Sequence, residues 1–275
     1  MDKNLGISLI ILTYNEEANL LKCLKSVEGL VSEIIIVDSG STDGTKKIAE
    51  EAGAKFVVHE FKNQADQFNW ALMNVEFEGD WILRLDADEE LLPELKTEIL
   101  EKLSKADANT GGFYIKRRNY FLGRWVRHGG YYPTWLLRIF RKGWGKSEER
   151  EMDEHLVLTQ GTIEKLQNDF IDNNLKGLDE WKEKHRKYAV REARAYLNNE
   201  NKTFEDGEFS RNYRLKMRVY YKFPPFLRVI LYFIYRYFFQ LGFLDGWVGT
   251  RFHILQGFWY RWMVDVNILK NKKTP

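Results

Sequence analysis

The sequence predicts an α/β fold: a mostly parallel sheet with helices on both faces, followed by a helical, aromatic and basic extension. Three observations carry this. First, short continuous apolar runs recur at 7–12, 33–37, Lys55–Val58 and 81–85. Each is bounded by turn-prone residues, as in strands buried on both faces. Second, helically spaced segments separate these runs, and strand–helix alternation implies right-handed crossover units. Third, charge divides the chain. From position 211 to the end there are 12 Lys/Arg against two acids, and 18 of the 41 aromatic residues, although the whole chain is only +2. This places an α/β domain over 1–210 and an extension over 211–275.

In chain order, the first run ends in the loop Thr13-Tyr14-Asn15-Glu16-Glu17. Leu20, Leu21, Leu24 and Val27 then show helical spacing. The second run enters a small-residue loop from Asp38 through Gly44, where Thr42 or Asp43 is expected to cap a helix ending near Gly53. A helix is expected over Gln64–Asn74. Pro93 opens an amphipathic helix to about Ala106, strands follow at 112–118 and 135–141, and a charged amphipathic helix spans Leu178–Leu197. Residues 119–133 read as a loop. The lone Cys23 excludes an intrachain disulfide and a cysteine zinc cluster. The N-terminal apolar run is too short for a secretory leader. Neither a dinucleotide glycine fingerprint nor a phosphate-binding P-loop follows the first strand.

Chemistry concentrates in WILRLDADEE, residues 81–90. A buried strand stops at Asp86, Asp88, Glu89 and Glu90, which places acids at the carboxyl edge of the sheet, where open α/β folds hold ligands. Asp86 and Asp88 are two apart and suit one Mg²⁺ or Mn²⁺ ion that also meets substrate phosphates. In a parallel sheet the Thr13, Asp38 and Asp86 loops share one edge and form a nucleotide site.

ILTYNEE, IIIVDSGSTDGT and WILRLDADEE, in this order, resemble the signatures of family 2 glycosyltransferases, which are inverting enzymes of the GT-A (nucleotide-diphospho-sugar transferase, Rossmann-like) type. QFNWAL, YYPTWLLRIFRKG, the Glu154-His155 pair and EWKEKHRKYAVREA resemble a branch with bacterial lipopolysaccharide-core β-glucosyltransferases. The chain departs from that branch in having Phe68 where a basic residue is common, and Glu-His where His-Glu is common. The resemblance implies that Thr13, Tyr14, Asn15, Glu17, Asp38 and Ala87 surround the nucleoside. It also implies that Asp86 meets ribose or metal, that Asp88 ligates the metal, and that Gln67 and Asn69 line the donor pocket. For Asn69 a packing role is an equal alternative.

An inverting transfer needs a carboxylate to deprotonate the acceptor, on the sugar face opposite the leaving diphosphate. Glu154 in MDEHLVL is the expected base and Asp153 its rival. His155 and Arg138 are candidates for acceptor or phosphate contact. The tail segments 223–243 and 247–269 are apolar and aromatic but carry Arg228, Arg236, Gln240, Arg251 and Arg261. They are expected to lie among headgroups, with the arginines meeting anionic lipid. Basic and aromatic residues together also suit nucleic acid, but no nucleic-acid motif is present. The expectation is therefore a metal-dependent transfer of a hexose from a nucleotide sugar (UDP first) to a glycolipid or lipid-linked glycan. It would occur on the cytoplasmic face of a membrane. Alternatives are a polyprenyl-phosphate or peptide acceptor, or an inactive nucleotide-sugar-binding scaffold.

Overall fold

The computed structural model describes residues 6–148, 155–198 and 219–272. It divides into two compact units, one formed by Met1–Gly123 with Tyr132–Lys176, the other by Arg124–Tyr131 with Gly177–Pro275.

The strands in chain order are β1 (Ile7–Thr13), β2 (Glu33–Asp38), β3 (Lys55–Val58), β4 (Trp81–Asp86), β5 (Glu89–Leu91), β6 (Thr110–Phe121), β7 (Arg124–Trp125), β8 (Thr134–Arg141), β9 (Gly145–Ser147), β10 (Leu156–Leu158) and β11 (Thr162–Asp172). The first unit is built on the order β3-β2-β1-β4-β8-β6-β11-β5. Its first four strands are parallel, as the buried apolar runs predict. Beyond β4 the sheet becomes mixed. β8 is antiparallel to β4 and β6, β6 and β11 are parallel, and β5 is antiparallel to β11. β9 and β10 form a separate hairpin.

Helices cover both faces. On one side α1 (Leu20–Ser26), α2 (Thr45–Glu51) and α4 (Pro93–Lys105) bury Leu20, Leu24, Ala49, Leu95 and Ile99 against Leu9, Ile11, Leu83 and Leu85. On the other, α3 (Gln64–Asn74) and β10 cover Ile10, Ile35, Ile82 and Phe140 with Phe68, Ala71 and Leu156. The two faces take alternate residues of the same strands, which is why the runs read as continuously apolar. Phe68 is fully buried, edge-on to Phe140, with the Arg84 guanidinium 4.9 Å from its ring centre. The cation beneath α3 therefore comes from β4. The cap of α2 is Gly44 rather than Thr42 or Asp43; Asp43 acts from one residue outside, its Oδ1 accepting from the Thr45 N–H at 3.0 Å.

The second unit contains α5 (Leu178–Leu197) and α6 (Leu227–Ile234), which runs on through a π-helical turn at Tyr235–Phe239. A 3-10 turn at Gly242–Asp245 leads to α7 (Gly246–Phe252), a π-helical stretch at His253–Trp259, and α8 (Tyr260–Lys272). Ala189 and Ala193 of α5 pack on Tyr260, Val264 and Ile268 of α8. The boundary expected at 210/211 lies outside the described residues.

One expectation for the tail is corrected here. Arg228 and Arg236 do not face outward to meet lipid. Arg228 is buried and its Nε donates to Asp265 at 2.9 Å. Arg236 donates to the Gly129 carbonyl and lies 3.7 Å from the Tyr131 ring centre. Arg261 pairs with Glu192. A buried guanidinium needs such partners, and the second unit supplies them internally.

Candidate active site

Strand register brings the three predicted loops together. Thr13 at the end of β1 pairs with Asp38 of β2, and Leu12 pairs with Asp86 of β4. The two acids therefore flank the carboxyl end of the central strand. β8 is antiparallel to β4, with Ile139 opposite Leu83, so its first residues, Thr134 and Trp135, reach the same edge.

The first two loops are bonded to each other. Thr13 Oγ1 donates to Asp38 Oδ1 at 2.7 Å, and the Asp38 Oδ2 accepts from the N–H groups of Gly40 at 2.8 Å and Ser41 at 2.7 Å. Gly40 has φ of +91°, a conformation that favours glycine, so the loop can fold back onto the carboxylate. Asn15, also left-handed at φ +53°, donates its N–H to Ser41 Oγ and accepts the Thr42 N–H at 2.8 Å. Glu17 accepts the Gly44 N–H at 2.7 Å; a Cβ on Gly44 would come within 2.9 Å of that carboxylate. Thr13 thus bonds Asp38, and Asn15 and Glu17 bond the loop that follows it, so these four residues tie the first two loops together. Tyr14 is 59% exposed, which leaves its ring available to a ligand.

The third loop carries a dense charge cluster. Asp86 Oδ2 lies 3.2 Å from Arg138 Nη2, and its Oδ1 lies 3.7 Å from Arg84. Arg138 is buried and also bonds Glu89. Glu89 in turn accepts the Asp86 N–H at 3.0 Å. Arg138 therefore holds Asp86 and Glu89 in place. Burial pushes the Glu89 carboxyl up to about 8, against the opposing pull of Arg138, with Asp86 and Asp172 adding to the rise. Asp88 Oδ2 accepts from the Asn174 amide at 3.0 Å. Glu16 pairs with Lys176 at 2.7 Å; burial raises its pKa despite that bond, and the Asp88 charge contributes.

Asp86 and Asp88 are both partly buried carboxylates, the hard oxygen donors that Mg²⁺ and Mn²⁺ prefer. Among the described residues no three or more His, Cys, Asp or Glu converge as a complete metal cage. Such an ion commonly takes one or two carboxylates and fills its remaining positions with water and phosphate oxygens. The donor set fits an ion bound together with a diphosphate.

The sequence profile of Glycosyl transferase family 2 matches residues 8–150 of the 275. The chain belongs to glycosyltransferase family 2. The matched segment contains all three loops, and the α/β architecture agrees with the GT-A class. An uncharacterized glycosyltransferase of Rickettsia felis is 45% identical over 93 residues, covering 34% of this chain and 32% of its own length. The lipopolysaccharide core biosynthesis glycosyltransferase LpsC of Rhizobium meliloti is 33% identical over 173 residues, 59% of this chain and 61% of its own length. The chain thus spans about one third to three fifths of these curated relatives. S. aureus TarS 1-349 in complex with UDP-GlcNAc is 18% identical, with 68% of this chain and 66% of that chain covered and a TM-score of 0.45.

Within this family 2 domain the α3 residues act as braces. Gln67 is buried, and its amide donates to the Val37 carbonyl at 2.9 Å, one residue before Asp38. Asn69 makes a two-way bond with the Ser147 backbone, donating at 2.9 Å and accepting at 2.8 Å. These contacts turn both side chains toward backbone, which for Asn69 is the packing role that stood as the equal alternative to the donor pocket. Ala87 is buried between the two acids. Asp153 and Glu154 lie outside the described residues. They connect β9 to β10, whose base is closed by the Glu148 N–H donating to the His155 carbonyl at 2.9 Å. The His155 side chain is exposed.

The sequence reading missed the 173–176 segment. The Asn173 N–H donates to the Asp88 carbonyl, Asn174 to the Asp88 carboxylate, the Leu175 N–H to Asn19, and Lys176 to Glu16. A short polar stretch after an unrecognised strand has no spacing signature, and nothing in the linear sequence pairs Lys176 with Glu16, 160 residues away.

Proposed function

We propose that this chain transfers a hexose from a nucleotide diphosphate sugar, UDP first, to a hydroxyl of a lipid-linked or lipopolysaccharide-core glycan with inversion to a β-linkage. The observation that carries this is the alignment of the Thr13, Asp38 and Asp86 loops at one sheet edge inside a family 2 domain. The similarity to LpsC, a lipopolysaccharide core biosynthesis glycosyltransferase, supports the acceptor class.

Each residue's part follows from its chemistry. The exposed Tyr14 ring offers a stacking face for the base. The loop held by Asp38 and Asn15 keeps that ring and its backbone groups in place. Asp88 and Asp86 would hold a divalent cation, which would supply charge neutralisation to the departing diphosphate. Arg138 and Glu89 fix Asp86, and Asn174 fixes Asp88, so both carboxylates are set before the donor arrives. Glu154, with Asp153 as the alternative, removes the acceptor proton. The Asn69 brace on Ser147 anchors the strand leading to that segment.

The acceptor side is the β6–β8–β11 part of the edge. Lys116 and Lys165 each lie about 5.5 Å or less from the Trp135 ring centre. Lys116 is itself paired with Asp169 at 3.2 Å, so what this part of the edge offers the acceptor is the Trp135 ring as a stacking face for a sugar.

The test is transfer from UDP-, GDP- and dTDP-hexoses to isolated lipid-linked glycans. Glu154→Gln is expected to cut kcat by about 10²–10⁴ while nucleotide affinity is unchanged. If neither Glu154→Gln nor Asp153→Asn slows transfer, the base assignment is wrong. If the wild type transfers no sugar yet binds a nucleotide sugar, the scaffold alternative replaces the enzyme.

A further inference from the structure

Between Leu227 and Trp247 the second unit presents an apolar surface, while Arg228, Arg236, Asp245 and Asp265 turn inward. On the helix from Leu227 to Phe239, the exposed residues include Leu227, Ile230, Leu231, Ile234 and Phe238. Their spacing of three and four places them in one stripe. The stripe continues round the bend, where Phe239 is 74% exposed and Trp247 77% exposed, with Leu241, Phe243 and Leu244 between them. Surface apolar residues are ordinarily scattered, and a contiguous patch marks an interaction site.

The opposite face explains why the sequence looks unsuited to lipid. Arg228 is buried on Asp265, whose carboxylate also accepts the Phe226 N–H at 2.8 Å. Arg236 is held by the Gly129 carbonyl and the Tyr232 hydroxyl. Asp245 bonds the His128 N–H at 2.9 Å, with the His128 ring as a second partner. Asp245 and Asp265 are the only acids between positions 219 and 272, and both side chains are nearly fully buried. The outward surface of this segment therefore carries no carboxylate, while Lys222 and Arg251 are exposed on it.

Among the described residues no single helix is long and apolar enough to cross a membrane, but the pair Leu227–Phe239 and Gly242–Asn271, bent by 68°, together meets that test by length and composition alone. We propose that the stripe and the bend sink into the acyl region of one leaflet of an anionic bilayer as a monotopic anchor, rather than resting among headgroups. The two modes differ in chemistry. Headgroup binding by cations weakens as salt shortens the Debye length, whereas apolar insertion does not. This proposal is independent of the donor, metal and base assignments above.

The experiment is flotation of the full chain with phosphatidylcholine vesicles containing phosphatidylglycerol, at 0.1 M and 1 M NaCl. Binding that persists at 1 M NaCl is expected. Phe238→Ser and Phe239→Ser should each weaken it roughly tenfold, the effect of withdrawing a phenyl group from lipid. Met73→Ser, which removes an exposed apolar residue of the first unit, should leave it unchanged. Circular dichroism of the variants checks their folding. On the wild type, chain-brominated lipid should quench tryptophan emission, and Trp247→Phe should remove the quenched component. Three results overturn the proposal: release at 1 M NaCl, absence of bromolipid quenching, or a vesicle-indifferent dimer that Phe238→Ser converts to monomer.

Discussion

At the scale of single residues, the site depends on carboxylates held in unlike surroundings. Glu89 is enclosed by protein, while Asp86 and Asp88 stay partly open at the edge. The folded-state pKa of Glu89, about 8 against an ordinary 4.5, has a direct consequence. Through that window the folded chain retains a proton that the unfolded chain has released, so stability falls as pH rises from about 4.5 to 8. Glu89→Gln removes the titrating group. Unfolding free energies from denaturant titrations at pH 5 and pH 8 should differ less in the variant, by an amount on the order of a few kcal/mol. An unchanged pH slope contradicts the assignment. Asp38 gives a second residue-level prediction. Its carboxylate collects the Thr13 hydroxyl and two backbone N–H groups, so Asp38→Ala should cost about 2–3 kcal/mol and weaken nucleotide binding through the loosened loop. Thermal unfolding with and without nucleotide measures both.

At the scale of elements, α3 supports the site from behind. Asn69→Ala strips two hydrogen bonds from the Ser147 backbone, which should cost about 1–3 kcal/mol. Transfer should fall in kcat with donor affinity kept, because the brace serves the segment carrying Glu154; a change in donor affinity alone would instead place Asn69 in the donor pocket. The elements also show what was legible in the sequence. β1 to β4 were readable because parallel strands covered on both faces are continuously apolar. β5 was hidden because its three residues include buried Glu89 and half-buried Glu90. β11, TIEKLQNDFID, was hidden because its pairing with β6 shifts register between Lys165 and Asp169, which breaks the period-2 pattern. The candidate site residues at the ends of β1, β2 and β4 could be placed through those strands, whereas the 173–176 segment was lost with β11. The inward turn of Arg228 on α6 was invisible because a linear sequence does not show that Asp265 lies opposite it.

At the scale of the whole molecule, two units with separate cores are assigned separate tasks, the proposed nucleotide-sugar site in the first and the proposed lipid anchor in the second. The central claim concerns the first: the Asp86-Ala87-Asp88 edge binds a nucleotide diphosphate through a divalent cation. Isothermal titration of the chain with UDP, GDP and dTDP, in Mn²⁺ and in EDTA, on wild type and Asp88→Ala, tests it most directly. The account predicts tight binding of one nucleotide, UDP first, that is lost both in EDTA and in Asp88→Ala. Binding of the same strength in EDTA or in Asp88→Ala, or no binding of any of the three, would contradict it.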